Sequence, residues 1–376
     1  MQSKLKIAKT FFMFVTFCAI VCGQSAGSAG FRVDHLPFTI RLNDFDAKAE
    51  LTVPAGSQKA LPSILLIHGS DVADMDNTIV DDKGKVVSHI FLDLAEFLSS
   101  HGYAVIRYNK RYVNKYDDFD AARFQKLTLQ DLLADAKTVL AGMRTNPQID
   151  RNNIFVYGWS EGSAIAGQIA STELDIRGVV VQGAVAYSFS EGLKGLFSRT
   201  GSPYLSRFAR DGKIGASQLA AALSGNGGIP AKMFTRFLLD RNSTPDKPVV
   251  AAFLDKNNDG LIDLDAEAKP TFSSWFSDAN LGIYSNAQAL PGLNSVASKL
   301  SMPILILQGA NDGNTPKEEA EALNRALIAN HDHTLKVYPG LGHSLGVTPS
   351  IIEDGFKPIT RAPMQFLARW LDRRTK

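Results

Sequence analysis

Apolar and polar residues alternate along the chain in two different periods, which predicts that strands and helices follow one another. Residues 63–67 (Ser-Ile-Leu-Leu-Ile) form an apolar run typical of a strand that is buried on both faces of a parallel sheet. Residues 129–143 carry apolar side chains at helical spacing, with Thr128 as the predicted N-cap and Asp131 three residues later. The predicted strands are 38–42, 47–53, 63–67, 103–108, 154–157, 179–182, 304–307 and 334–338, and the main predicted helices are 90–100, 129–143, 163–170 and 362–373. This alternation predicts an α/β fold, with a mostly parallel central sheet covered by helices on both faces.

One long stretch lacks this alternation and predicts an insertion. Residues 188–300 show short helical patterns, at 218–223 and 232–239, between loops rich in Gly, Ser and Asn. We therefore predict a helical cap over residues 188–300. Residues 36–187 and 301–376 would then form the α/β domain that contains the central sheet.

The N-terminus has the order of a secretory signal peptide. Residues 1–10 contain three lysines and no acidic residue, residues 11–21 are almost continuously apolar, and small residues follow from 23 to 30. The apolar run is shorter than the ~20 residues that span a bilayer. We predict a signal peptide over residues 1–26, cleaved after Gly23 or at a later small residue, with an uncleaved anchor as the alternative. The predicted location is periplasmic or secreted, with no membrane attachment after cleavage.

Composition changes this picture little. Hydrophobic residues make up 45% and charged residues 21% of the 376 residues, as in ordinary globular proteins. The formal net charge is +2, and loss of residues 1–26, with their three lysines, would make it −1. This balance argues against a nucleic-acid partner. Both cysteines, Cys18 and Cys22, lie in the predicted signal peptide, so the mature chain would contain no disulfide.

Residues 158–162 (Gly-Trp-Ser-Glu-Gly) have the form G-x-S-x-G between a predicted strand and a predicted helix. A turn this tight strains its central residue and presents the hydroxyl of Ser160 at the edge of the sheet. A serine hydroxyl is a poor nucleophile unless a base takes its proton. The context therefore indicates a catalytic nucleophile rather than a glycine-rich turn of no further function.

The candidate base and acid follow later strands. His343 lies in the loop after strand 334–338, whereas His331 and His333 precede that strand and should face the opposite end of the sheet. Asp312 follows strand 304–307 and would fix the tautomer of His343 and stabilise its charged form. Two backbone amides would hold the oxyanion. We expect them to be Glu161 and Ser70, with Asp71 as the alternative to Ser70 and His68 as a loop-shaping residue.

These motifs resemble α/β-hydrolase-fold serine hydrolases of the esterase/lipase and serine-aminopeptidase-like branch. The resemblance rests on residues 68–70, 158–162, 309–312 and 342–343, in the chain order Ser, Asp, His, and covers about residues 36–190 and 300–375. It implies cleavage of a carboxylic ester through an acyl-enzyme, with a peptidase acting on short peptides and a non-catalytic binding protein as alternatives. No cofactor would be required for catalysis. Two departures are Asp71, where a second glycine is usual, and residues 107–112, where a glycine-containing turn is usual. The sequence leaves the substrate and the oligomeric state open.

A second motif lies in the predicted cap. Residues 255–267 resemble an EF-hand calcium loop, with alternating oxygen ligands and a glycine for the sharp turn. The pattern departs from an EF-hand at Ala266, where a glutamate is expected. The candidate ligands of a structural calcium ion are Asp255, Asn257, Asp259, Leu261 and Asp263. The alternative is an acidic loop with an Asn-Asp-Gly turn.

Overall fold

The computed structural model describes residues 32–244, 246–276 and 289–375. The predicted signal peptide therefore lies outside the described residues. The strands are β1 (Val33–Leu42), β2 (Phe45–Pro54), β3 (Leu61–Ile67), β4 (Thr78–Val80), β5 (Val86–His89), β6 (Ala104–Tyr108), β7 (Val113–Lys115), β8 (Asp118–Phe119), β9 (Ile149–Trp159), β10 (Gly178–Gln182), β11 (Lys213–Gly215), β12 (Leu261–Asp263), β13 (Ile304–Gly309) and β14 (His333–Tyr338).

Eight of these strands form the central sheet, in the order β1-β2-β6-β3-β9-β10-β13-β14. Pairing is antiparallel between β1 and β2 and between β2 and β6, and parallel from β6 to β14. The carboxyl ends of the parallel strands therefore meet at one edge, where the candidate residues were predicted. The α/β fold with a mostly parallel sheet is confirmed.

The helices cover both faces of this sheet. They are α1 (Ile90–Ser99), α2 (Ala121–Phe124), α3 (Leu129–Thr145), α4 (Glu161–Ala170), α5 (Phe189–Leu196), α6 (Ser202–Leu205), α7 (Ala216–Ser224), α8 (Ile229–Phe237), α9 (Lys269–Trp275), α10 (Leu293–Val296), α11 (Lys317–Ala326) and α12 (Arg361–Asp372). One core joins α3, α4 and α11 to the sheet, and a second core joins α1 and α12 to its other face. No helix within the described ranges is both long and apolar enough to cross a bilayer.

A third hydrophobic core lies within the region predicted as a cap. Phe197, Phe234 and Phe272 are its large members, and their rings pack at centroid distances of 4.7 to 5.1 Å. A short antiparallel pair, β11 and β12, adds to this region and was not predicted, because three-residue strands give too short a pattern to recognise. The small pairs β4–β5 and β7–β8 and helix α11 were also not predicted.

The N-terminus of α3 has the predicted cap. Thr128 Oγ1 accepts a hydrogen bond from the Asp131 N–H at 3.1 Å, and the Asp131 carboxylate accepts one from the Thr128 N–H at 2.9 Å. This reciprocal pair satisfies two backbone donors that the helix itself leaves without acceptors.

Replacing this cap should lower stability by a measurable amount. We expect Thr128→Ala to reduce the free energy of unfolding by about 1 kcal/mol, because the Asp131 N–H loses its acceptor. Urea denaturation followed by circular dichroism measures this value. Thr138→Ala, at an exposed position of the same helix, is the matched control and should change stability by less than about 0.5 kcal/mol. Equal effects of the two substitutions would contradict the capping role.

Candidate active site

Ser160 occupies the sharp turn between β9 and α4. Its backbone has φ 55° and ψ −122°, a conformation that side-chain-bearing residues rarely adopt. The flanking glycines are required by close backbone approach. A Cβ on Gly158 would lie 2.1 Å from the Gly162 carbonyl oxygen, and a Cβ on Gly162 would lie 2.3 Å from that of Ile67. The G-x-S-x-G spacing thus follows from the packing of α4 against β9 and β3.

Asp312 and His343 meet at the carboxyl ends of β13 and β14. His343 Nδ1 lies 2.8 Å from Asp312 Oδ2, and both side chains are buried. The same oxygen accepts hydrogen bonds from Gln308 Nε2 and Thr315 Oγ1, at 3.0 and 2.9 Å. The other carboxylate oxygen accepts the N–H groups of Asn314 and Thr315, both at 2.8 Å. This number of donors holds the carboxylate in one orientation toward the imidazole.

The loop that carries His343 is hydrogen-bonded to the residue before Ser160 and to the last residue of β10. The His343 carbonyl accepts hydrogen bonds from Trp159 Nε1 at 3.0 Å and from Gln182 Nε2 at 2.8 Å. The Ser160 N–H in turn donates to the Gln182 carbonyl at 2.8 Å. A Cβ on Gly183 would lie 2.8 Å from His343 Cε1, so the imidazole rests against the backbone that follows β10. Ser160, Asp312 and His343, far apart in sequence, therefore lie at one edge of the sheet.

A second buried carboxylate, that of Asp354, connects the loop that carries Asp312 to the loop that carries His343. Asp354 Oδ2 accepts the His343 N–H at 2.7 Å and the Gly313 N–H at 3.0 Å. Burial first, and repulsion from the nearby Asp312 carboxylate second, raise the pKa of Asp354 to about 6. Asp354 is 1% exposed, so its charge is held in place by backbone N–H groups rather than by water.

This raised pKa predicts how stability changes with pH. Between about pH 4 and pH 6 the folded chain binds more protons at Asp354 than the unfolded chain, so rising pH destabilises the folded state through this group. We expect the free energy of unfolding of the parent to fall relative to that of Asp354→Asn, which has no carboxyl to ionise at this position, as the pH rises from about 4 to about 7. Urea denaturation of both proteins across this range measures the difference. A difference independent of pH would contradict the assignment.

The predicted oxyanion loop, residues 68–71, lies against the nucleophile. A Cβ on Gly69 would lie 3.2 Å from the Ser160 Cβ. Asp71, at the position where a second glycine is usual, has φ 72°, which is a glycine-like conformation. Its carboxylate accepts the N–H of Val72 at 2.8 Å, a local bond of the kind that lets aspartate adopt this conformation. Within the described residues, the amides of Ser70 and Asp71 donate to no protein acceptor. Either amide has a hydrogen available for an oxyanion, and Ser70 as the donor stays a prediction.

The other histidines near the motifs have different roles. His68 is 1% exposed, and burial first, with the nearby Lys110 charge second, lowers its pKa to about 3. It is therefore neutral at physiological pH, and it packs between Phe91 and Tyr108 with ring centroids 5.4 and 5.1 Å away. His333 begins β14 and contacts the Asn330 carbonyl, at the opposite end of that strand from His343.

The acidic loop predicted as a calcium site is held by its own backbone. The two carboxylate oxygens of Asp255 accept N–H groups of Asp259 and Gly260, at 3.0 and 2.9 Å. Those of Glu267 accept N–H groups of Lys256 and Asp263, both at 2.8 Å. Over residues 32–244, 246–276 and 289–375, no group of three or more acidic, histidine or cysteine side chains is arranged to hold a metal ion. Calcium binding stays a prediction.

Two residues of this site were not identified from the sequence. Asp354 follows β14 by sixteen residues in an irregular segment, and no local pattern marks it. Lys110 lies in segment 107–112, whose departure from the family pattern was recognised without a role. The signal that could have identified Lys110 is the succession of charged residues in 107–112, next to a buried strand. Charged side chains are buried only when they are paired, so such a succession indicates buried ion pairs.

The order and pairing of the strands, with the strained turn at Ser160 after β9, give this chain the α/β-hydrolase fold. A model of the dienelactone hydrolase family matches residues 277–354, which include Asp312 and His343. Esterase EstD of Thermotoga maritima is 34% identical over 122 residues, which are 32% of this chain and 26% of that protein. This chain thus spans about a quarter of the length of that curated relative.

Solved structures agree on the fold. A hypothetical protein from Pseudomonas aeruginosa has a TM-score of 0.54 and 15% identity, covering 93% of this chain and 95% of its own. The acylaminoacyl peptidase of Pyrococcus horikoshii has a TM-score of 0.53 and 12% identity, covering 91% of this chain and 42% of its own. At these identities the similarity concerns the fold, and it extends over nearly the whole of this chain.

Proposed function

We propose that this protein is an exported serine hydrolase that cleaves carboxylic esters through an acyl-enzyme. The proposal rests above all on the 2.8 Å contact between His343 Nδ1 and Asp312 Oδ2, at the sheet edge where Ser160 occupies its strained turn. A carboxylate, an imidazole and a hydroxyl in this order form a proton relay that makes a serine nucleophilic.

The residues would act in two half-reactions. Ser160 Oγ forms a bond to the ester carbonyl carbon while its proton passes to His343 Nε2. The resulting oxyanion accepts hydrogen bonds from the amides of Glu161 and Ser70. Its collapse breaks the bond to the alcohol, which takes the proton from His343. Water then adds to the acyl-enzyme, with His343 again as base, and the acid is released with Ser160 restored.

The environment of the site supports this chemistry. Ser160 is 4% exposed, and Asp312 and His343 are 2% exposed each. Exclusion of water strengthens the hydrogen bonds and charges that stabilise a developing oxyanion. The name of the Thermotoga maritima relative, an esterase, favours an ester over an amide as the bond cleaved.

Export is proposed on the pattern of residues 1–30 alone. Its basic, apolar and small segments follow the order of a signal peptide, and the sequence after residue 26 contains no cysteine. The protein would then act in the periplasm or outside the cell, where acyl-CoA thioesters are not expected as substrates.

A substrate panel tests the proposed reaction. The purified protein is assayed on p-nitrophenyl esters of increasing acyl length and on aminoacyl p-nitroanilides. Turnover of the esters with little turnover of the anilides supports the esterase. Preference for the anilides would favour the peptidase alternative. No turnover of either class, together with no reaction with a fluorophosphonate, would indicate a non-catalytic protein on a hydrolase fold.

A further inference from the structure

The ammonium group of Lys110 is buried against the predicted oxyanion loop, residues 68–71. Lys110 is 4% exposed and follows β6, the neighbour of β3 in the sheet. Its Nζ contacts the carbonyl oxygens of Gly69 and Asp71, at 2.5 and 3.0 Å, and Glu161 Oε1 at 3.0 Å. An ammonium group has three protons, so each of them has one acceptor.

These three acceptors belong to the two segments that would form the oxyanion hole. Gly69 and Asp71 lie in the loop that follows β3, and Glu161 directly follows Ser160. Glu161 is 1% exposed, so the contact with Lys110 is a buried ion pair. A single cation thus fixes the position of the loop relative to the start of α4.

The contact with Gly69 also sets the direction of an amide. The carbonyl of Gly69 and the N–H of Ser70 belong to one planar trans peptide, in which they point in opposite directions. Because the carbonyl oxygen is bound to Lys110, the Ser70 N–H points away from the buried ammonium. Gly69 itself lies against Ser160, since a Cβ at this glycine would be 3.2 Å from the Ser160 Cβ.

The peptide two residues further along the chain, between Asp71 and Val72, is fixed in the same way. The Asp71 carbonyl is bound to Lys110, and the N–H of the same peptide, that of Val72, donates to the Asp71 carboxylate. A rotation of the loop that turned the Ser70 N–H away from its present direction would break the contacts to Lys110. Both contacts of Lys110 therefore oppose such a rotation.

We propose that Lys110 is a positioning residue of the oxyanion hole, which holds the Ser70 amide in the direction that a transition-state oxyanion needs. This inference rests on the proposed function. Lys110 Nζ is not a donor to the substrate, because its three protons are used by Gly69, Asp71 and Glu161. Its contribution reaches the reaction through the orientation of the loop.

The test separates transition-state stabilisation from substrate binding. We expect Lys110→Met to lower kcat on the best p-nitrophenyl ester about 100-fold with KM changed less than about threefold, as for loss of an oxyanion donor. A trifluoromethyl ketone, which adds to Ser160 and places an anionic oxygen in the hole, should lose affinity by a similar factor. A variant with kcat and inhibitor affinity within about threefold of the parent would overturn the proposal while leaving the esterase assignment intact. A parent protein without ester turnover would instead overturn the proposed function.

Two further variants keep the test decisive. Arg111→Met removes a neighbouring buried cation, whose Nε contacts Asp135 at 3.0 Å. Among the described hydrogen bonds, Arg111 makes no contact with residues 68–71. This variant should therefore have a lower free energy of unfolding and a kcat within about threefold of the parent value. Lys110→Gln retains an uncharged NH₂ group as hydrogen-bond donor and serves if Lys110→Met does not fold, with an expected loss of kcat of at least about tenfold. If neither Lys110 variant folds while Arg111→Met does, Lys110 acts in stability and the proposal is wrong.

Discussion

Replacing Ser160 by alanine should reduce ester hydrolysis by a factor of about 10⁴ to 10⁶ in kcat. The variant has no atom that can form the acyl-enzyme, and any remaining turnover would come from water activated by His343 next to an intact oxyanion hole. The backbone conformation at φ 55° strains alanine as it does serine, so the turn should persist. Initial rates on p-nitrophenyl esters, at equal protein concentration, measure the loss.

Ser171→Ala is the matched control for this experiment. Ser171 follows α4, the helix that begins next to Ser160, and its hydroxyl donates to the Gln168 carbonyl at 2.9 Å, away from the site. We expect this variant to keep the activity of the parent. Comparable activity in Ser160→Ala and Ser171→Ala would remove Ser160 from the mechanism.

Replacing Asp312 by asparagine should lower kcat by about 10⁴ with little change in shape. The ionised carboxylate accepts from His343 Nδ1, which leaves Nε2 free to accept the proton of Ser160. An asparagine amide turned toward Nδ1 would donate to it, and the imidazole would then carry its proton on Nε2, where it cannot act as a base. With the amide turned the other way, its NH₂ group would face the N–H donors of Asn314 and Thr315.

The measurement compares kcat and KM of Asp312→Asn with those of the parent. We expect KM to stay close to the parent value, because Asp312 does not touch the substrate in the proposed mechanism. Asp46→Asn, an exposed change of the same chemistry on β2, is the control and should leave both constants unchanged. Parent-like kcat in Asp312→Asn would show that another group orients His343.

The positions of Ser160, Asp312 and His343 could be predicted because each depends on a short pattern and a general rule. The G-x-S-x-G spacing marks a tight strand-to-helix turn, and the structure gives Gly158 and Gly162 the close contacts that exclude a side chain. The acid and the histidine each follow a buried strand, and parallel strands bring their carboxyl ends to one edge. The capping of α3 by Thr128 and Asp131 was predictable for the same reason, since a capping box is local.

The supporting contacts could not be predicted, because they join segments that are distant in sequence. Asp354 binds the N–H of Gly313, and Lys110 binds the carbonyl of Gly69, each across about forty residues. Neither partner is marked by a local pattern, since backbone groups carry no sequence signature. Asp71 was recognised as a departure from the usual glycine, but its glycine-like conformation and its bond to Val72 required coordinates.

Mass spectrometry of the protein after reaction with a fluorophosphonate tests the central claim most directly. Such a reagent forms a covalent bond only with an activated serine, so it reports whether the relay of Asp312, His343 and Ser160 works as an assembled unit. We predict one adduct per chain, located on Ser160 by peptide mapping, and no adduct in Ser160→Ala or after denaturation. A fully folded parent that stays unmodified, or that is modified at another serine, would contradict the assignment.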